Sequence, residues 1–291
     1  MFSNLEGIRL VGKNNRIGKM RYNEAVVTRT VVDLHAKTNT RSERVTQVIL
    51  GTPLMVGKEK RTWLWVTTAD AYRGWIEVAA TRRLKFREPR YASKGRIALV
   101  KSNVAVIYLE PFGEPRESIT VTVDTRLELV SEQTHRCKVR LPDFRYGWIR
   151  REDVSIRSAD FNYPVTNRQR TAETGKRFLG VPCLWGGITP LGFDCSGFVQ
   201  LVYKMNGVNV PRDADQQYMV GRPVETGEIA PADLVFFSNE STGITHVGIY
   251  LGNGEFLHSS GRASGVIINA LRDRYFHSIF VEARRLWNPA R

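Results

Sequence analysis

No stretch of this sequence approaches the roughly eighteen apolar residues that a membrane-spanning helix needs, and its opening, MFSNLEGIRLVGKNNRIGKM, lacks the apolar core of a secretory signal. No membrane span is expected. Cysteine is scarce: Cys137, Cys183 and Cys195 are the only three among 291 residues, an odd number that does not suit a disulfide framework and leaves at least one thiol free. They lack the paired spacing of a zinc site, and only five histidines are available to complete one, so a structural metal is not expected either.

Acid is the minority charge. The chain carries 43 Lys and Arg against 29 Asp and Glu, a net charge of +14. The excess is uneven, with 30 bases to 18 acids in residues 1–160 and 13 to 11 beyond. A basic half of this kind suits nucleic acid, an anionic membrane surface or an anionic wall polymer, and charge alone does not choose between them. A basic surface with no dedicated partner fits equally well.

What is present is a repeat. GTPLMVGKEKRTWLWVTTADAYRGWIEV at 51–78 matches DTRLELVSEQTHRCKVRLPDFRYGWIRR at 124–151, the Gly-Trp-Ile tripeptides standing 73 residues apart. Short alternating segments broken by polar turns predict strands, and each copy predicts a small antiparallel barrel over 22–86 and 91–155. Trp75 and Trp148 are expected in the barrel cores, as is Cys137 on its CKVRL strand. The cationic stretch TRRLKFREPRYASKGR, 81–96, separates the copies as linker or contact surface. The alternation stops near 158–170, so a third domain is placed at 161–291. Its first helix runs through RQRTAETGKRFLG, with Gly180 as its stop.

In GGITPLGFDCSGFVQ, 186–200, Cys195 precedes Phe198, Val199, Leu201, Val202 and Met205, the spacing of one helical face that ends at Gly207. Cys195 therefore lies in the first turn, with Asp194 as N-cap. A helix start stabilises thiolate, so a lowered thiol pKa and a nucleophilic role are expected, although free cysteines are also commonly buried and inert. A thiol nucleophile needs a base and a group that orients the base. HVGIYLGNGEFLHSS, 246–260, reads as a hairpin carrying two histidines. With a two-residue Asn253-Gly254 loop the histidines fall on opposite faces. With a three-residue loop, Gly252-Asn253-Gly254, residue 255 faces 251, Ile249 faces Leu257, and His258 lies opposite Gly248 with His246 as its diagonal neighbour. The three-residue loop is expected, with Gly254 left-handed. His246 would be the general base and His258 would orient it, a neutral partner suited to a thiol already of low pKa. His35, His135 and His277 lack such a setting.

The ordered motifs LWGGITPLGFDCSGFVQLVY, VPRDADQQ, IAPADLVFF and HVGIYLGNGEFLH, spanning nearly all of 161–291, resemble the NlpC/P60 family of papain-like cysteine peptidases that cut bacterial peptidoglycan peptides. The repeat similarly resembles tandem bacterial SH3-like domains. The resemblance implies an α+β fold, a C-terminal papain-like peptidase domain behind two small all-β SH3-like barrels, with Cys195, His246 and His258 as its catalytic set and no metal or organic cofactor. The architecture is similar to γ-D-glutamyl-L-diamino-acid endopeptidases that act on muropeptides. By that likeness Asp194 and Ser196 bind the free amine of an N-terminal L-alanine, and an acidic residue of the first barrel, here Asp70, closes one end of the cleft.

Peptidoglycan stem peptides or muropeptides are then the expected partners, with anionic wall polymer a further partner for the basic half and nucleic acid not expected. The compartment expected is cytoplasmic if the N-terminus is native and periplasmic or extracellular otherwise, in a bacterium. The rival readings are an amidase or acyltransferase on the same thiol scaffold, or a non-catalytic basic binding protein. One departure from the family pattern is Cys183, in VPCLWGG, where a tyrosine is usual; a switchable bond to Cys195 is one conceivable consequence. Arg212 and Asp213 suit the cleft or a helix start with Asp213 as cap, and Trp185 is expected to pack against protein rather than stack on substrate.

Overall fold

The computed structural model describes residues 23–110, 117–239 and 243–286. The opening stretch read for a leader, residue 22 and residues 287–291 lie outside them. Three large β-sheets occupy 24–83, 96–158 and 222–285, and a two-stranded ribbon pairs Ile188–Thr189 with Gly192–Phe193. The first two each contain seven strands joined in one shared order: numbering the strands of each sheet along the chain, both read 3-2-6-5-4-1-7. The 73-residue repeat is thus a repeat of topology. In each copy alternate side chains point inward, so Leu54, Leu64 and Ile76 fill one core and Leu127, Cys137 and Ile149 the other.

The same alternation corrects the expectation for the tryptophans. In Arg73–Glu77, Gly74 and Ile76 face the core, so Trp75 between them faces outward and is only half-buried. Space agrees with this, because even a methyl group at Gly74 would come within 2.8 Å of the Leu34 Cβ. Lys58 Nζ lies 5.4 Å from the ring centres of both Trp65 and Trp75. Trp148 repeats the pattern with the Arg136 guanidinium 4.5 Å away. Cys137, by contrast, is fully buried as expected.

The third sheet has six antiparallel strands in the order Arg222–Val224, Phe280–Arg285, Leu234–Phe237, His246–Gly252, Glu255–Ser260 and Gly265–Ala270. Against it lie α1 (Arg168–Lys176), the longer α2 (Cys195–Met205) and two short helices, α3 (Ala214–Tyr218) and α4 (Arg274–Ile279). α1 stops at Lys176, a turn earlier than expected, and Gly180 (φ +81°) instead turns the following chain toward the sheet, its N–H bonding Val266 O at 2.9 Å. α2 buries Phe198, Val199, Leu201 and Val202 against the sheet and ends with Gly207 at φ +79°. Phe198 meets Phe178 and Phe193 edge to face at 6.4 and 5.8 Å. Burying each such ring contributes about 1.5–3 kcal/mol, which pins the start of α2 to the sheet.

The histidine hairpin keeps the expected register by another route. Ile249 pairs with Leu257 and Tyr250 with Phe256, but Glu255 pairs with Gly252 and leaves Leu251 as a bulge. The loop is the two-residue Asn253-Gly254, both residues at positive φ (53° and 79°), as a type I′ turn requires. Asn-Gly has a strong preference for that tight turn. The extra residue needed to bring both histidines to one face is taken up inside the strand, where a bulge costs little.

Candidate active site

Asp194 caps α2, its Oδ1 accepting the Gly197 N–H at 2.6 Å, and Cys195 is the first helical residue. Its sulfur lies against the start of the His246–Gly252 strand, close enough for the backbone N–H groups of Val247 and Ser196 to point at it. Part of Cys195 remains open to solvent, while protein packs densely around the sulfur. That burial, with the Asp194 carboxylate adding to it, pushes the thiol up to about 12 against the pull of Arg212 and the two N–H groups. The expectation of a thiol already acidic at rest is therefore corrected: desolvation outweighs the helix start.

His246 Nε2 and His258 Nδ1 are 2.7 Å apart, their rings edge to face. Gly248 makes this approach possible, since a Cβ there would come within 2.7 Å of the Phe256 ring and 3.3 Å of the His258 Cβ. His258 is buried, walled by Phe256 and Phe276, and its Nε2 meets Asn269 Oδ1 at 2.9 Å. Burial, with the neighbouring His258 adding to it, drives the pKa of His246 down to about 3. Burial also lowers that of His258, with the Asn269 bond partly opposing. Burial thus favours the neutral form of the thiol and of both imidazoles.

The largest feature that sequence reading undervalued is Arg212, 3% exposed. Its guanidinium bonds both carboxylate oxygens of Asp194, the Ser196 hydroxyl at 2.9 Å and, through Nε, Thr46 Oγ1 of the first barrel at 2.8 Å. Ser196 is buried within this network. Asp213 occupies the N-cap position of α3 but makes no side-chain capping bond; it accepts instead from the Tyr72 hydroxyl of the first barrel at 3.2 Å. Burial raises the pKa of both groups, Tyr72 to about 12. Asp70 lies at the same seam but farther along α2, where it accepts from Gln200 Nε2 at 3.3 Å and from the Thr68 hydroxyl.

Trp185, expected as a packing residue, is 70% exposed. It is held to the first barrel at both ends, its Nε1 donating to Glu43 Oε1 at 3.2 Å and its carbonyl accepting from Arg44 at 2.8 Å. Cys183 is half-buried and, like the other two cysteines, a free thiol. Among the described residues, no cluster of three or more His, Cys, Asp or Glu side chains could hold a metal ion. No helix there is long and apolar enough to cross a membrane.

A cysteine opening a helix, set against a sheet whose inner strands carry a pair of imidazoles, defines the papain-like class of thiol hydrolases. Residues 180–285 match the NlpC/P60 family and residues 34–80 the bacterial dipeptidyl-peptidase Sh3 domain. The chain is 31% identical over 252 residues to a γ-D-glutamyl-L-lysine dipeptidyl-peptidase of Bacillus cereus, covering 82% of this chain and 74% of that protein. It is 31% identical over 260 residues to the enzyme of that name from Bacillus subtilis, covering 84% and 81%. The crystal structure of an NlpC/P60 family protein from Bacillus cereus superposes with a TM-score of 0.81 at 25% identity, covering 90% of this chain and 99% of the other. The chain belongs to the NlpC/P60 family.

Proposed function

We propose that this protein is a cysteine endopeptidase that hydrolyses the bond between γ-D-glutamate and the L-diamino acid of peptidoglycan stem peptides, on fragments whose L-alanine amine is free. The relatives named for γ-D-glutamyl-L-lysine cleavage support the bond. The observation that carries the chemistry is the 2.7 Å histidine pair whose His246 immediately precedes Val247, the residue whose backbone N–H points at the Cys195 sulfur. The three units 22–86, 91–155 and 161–291 divide the work, with the last holding the reacting groups and the first closing the cleft beside them.

In the reaction, His246 Nδ1 takes the Cys195 proton as the sulfur attacks the γ-carbonyl carbon, and the backbone N–H of Cys195 at the helix start receives the developing oxyanion. Because both partners begin neutral, proton transfer accompanies attack, and the imidazolium is stabilised through its Nε2–H by His258. The C–N bond breaks as His246 returns the proton to the leaving amine of the diamino acid. Water, deprotonated by His246, then attacks the thioester and releases the dipeptide carboxylate and the free thiol.

Asp194 and Ser196 flank the nucleophile and receive the alanine ammonium. Asp194 is paired with the Arg212 guanidinium, and Asp213, bonded to Tyr72, lies within reach of the same field, so carboxylate oxygens stand close to Cys195 for a cation withdrawn from water. Asp70 acts from the barrel side through Gln200. Recognition of a free amine assigns the enzyme to released fragments.

The test is product analysis by mass spectrometry with L-Ala-γ-D-Glu-diaminopimelate and its N-acetylmuramyl form. The free-amine peptide is expected to release diaminopimelate with a kcat/KM about 100-fold or more above the capped form, because an amide in place of the ammonium offers no charge to the Asp194 carboxylate and adds bulk at a closed end of the cleft. Equal cleavage of both would remove the amine pocket from the account. Products cut elsewhere, or acyl transfer in place of hydrolysis, would favour the rival reactions.

A further inference from the structure

We infer that Asn269 is a positioning residue that sets where the protons sit along the histidine pair, and that Asp273 in turn sets Asn269. The inference rests on His246 being the base, and it concerns a part of the site that no sequence motif marked.

A neutral imidazole carries one N–H. The 2.7 Å contact between His246 Nε2 and His258 Nδ1 therefore has two solutions. If the proton sits on His246 Nε2, then His246 Nδ1 is a bare lone pair and can accept the thiol proton. If it sits on His258 Nδ1, then His246 must carry its own proton on Nδ1 and cannot act as base. Nothing within the pair chooses between these states.

The choice is made at the far end. Asn269 lies two residues beyond Ile267, the register partner of His258, so it is a diagonal neighbour on the same sheet face. Its Oδ1, a pure acceptor, is 2.9 Å from His258 Nε2. His258 must then hold its proton on Nε2 and leave Nδ1 bare for His246. An amide can turn over, and a reversed Asn269 would present its NH2 group and impose the inactive arrangement. Asp273 opposes that reversal: its Oδ2 lies 3.5 Å from Asn269 Nδ2 and is held by the Ala270 N–H at 3.1 Å. A flipped amide would bring its oxygen against the carboxylate.

Burial makes this setting consequential, since His258 is 1% exposed and the aromatic rings of Phe256 and Phe276 cover its flanks. The titratable groups that face the relay are Cys195 from α2, His246 from the adjacent strand and, through Asn269, Asp273 ahead of α4. The chain Asp273, Asn269, His258, His246 thus carries one polarity from a surface carboxylate to the Nδ1 edge of His246.

The experiment is a long-range proton–nitrogen NMR correlation on protein labelled with nitrogen-15 in histidine, which reports the tautomer of each imidazole and needs no substrate. Signals are assigned with His246→Gln and His258→Gln. Both rings are expected in the Nε2–H form. In Asn269→Leu, His258 is expected to lose that single tautomer, and kcat to fall roughly 10²-fold, toward the ~10⁴ that a wrong tautomer can cost, with KM within twofold. Asn269→Asp, near-isosteric and still an acceptor, is expected to retain the Nε2–H form. It should also move the acid limb of the kcat profile to higher pH, because a carboxylate favours the imidazolium.

An Nδ1–H His258 in the wild type, or unchanged tautomers and unchanged kcat in Asn269→Leu, overturns the inference. A purely structural Asn269 would lower Tm in the leucine variant and leave the tautomers and the pH profile of the aspartate variant where they were. The NMR result stands even if the proposed peptide is not cleaved, so the two failures are distinguishable.

Discussion

Replacing His246 with glutamine is expected to reduce kcat by a factor of roughly 10⁴ to 10⁶, the scale of losing the base from a nucleophile–base pair, while the protein remains folded. The same substitution should change how stability responds to acid. Burial holds the His246 pKa at about 3 in the folded protein, whereas the unfolded chain takes up a proton near the ordinary value of 6.5. Between those values the unfolded state binds the extra proton, so stability present above pH 6.5 is lost as pH falls toward 3. At about 1.36 kcal/mol per pH unit the wild type loses on the order of several kcal/mol over that window from this residue. Glutamine does not titrate, and the acid side of the stability curve becomes shallower. Denaturant unfolding at a series of pH values checks this, and parallel curves for the two proteins would show that His246 is not buried as a neutral base.

The second large effect falls on Arg212. Substitution by methionine preserves bulk but strips Asp194 of its cation and leaves the hydroxyls of Ser196 and Thr46 without a donor. Removing one partner from a buried ion pair costs about 3–5 kcal/mol, since the remaining charge is left uncompensated. Activity should fall with stability, because Asp194 both caps α2 and flanks Cys195. Arg212→Lys should recover only part of either, as one ammonium cannot reproduce a planar fork that meets three side chains. Denaturant unfolding with a peptidase assay reads both quantities. A methionine variant within about 1 kcal/mol of wild type would mean that the network spanning the first barrel and α2 adds little.

Much of this site is local and so was legible. The apolar spacing after Cys195 places it at the first turn of a helix capped by Asp194, and the alternation on either side of Gly252, Asn253 and Gly254 marks the hairpin that aligns the histidines. Where reading failed, the deciding contact lay between segments. The Leu251 bulge depends on packing Ile249 and Leu257 on one face as well as on the turn's own preference. Arg212 and Thr46 are 166 residues apart, and Asn269 comes into play only once its strand lies beside that of His258. The thiol pKa differs from expectation because a helix start can be seen in sequence and desolvation cannot. Trp75 and Trp148 differ from expectation for another reason, since each stands between two inward residues, Gly74 and Ile76 or Gly147 and Ile149, and the strand's alternation turns the indole outward.

The most direct test of the central claim is to mix enzyme with L-Ala-γ-D-Glu-diaminopimelate, quench in acid at short times and measure the intact protein and its peptides by mass spectrometry. The account predicts a transient L-alanyl-γ-D-glutamyl adduct on the peptide containing Cys195, diaminopimelate released with it, and neither in Cys195→Ala. Continued hydrolysis by the alanine variant, or an adduct on another residue, would contradict it.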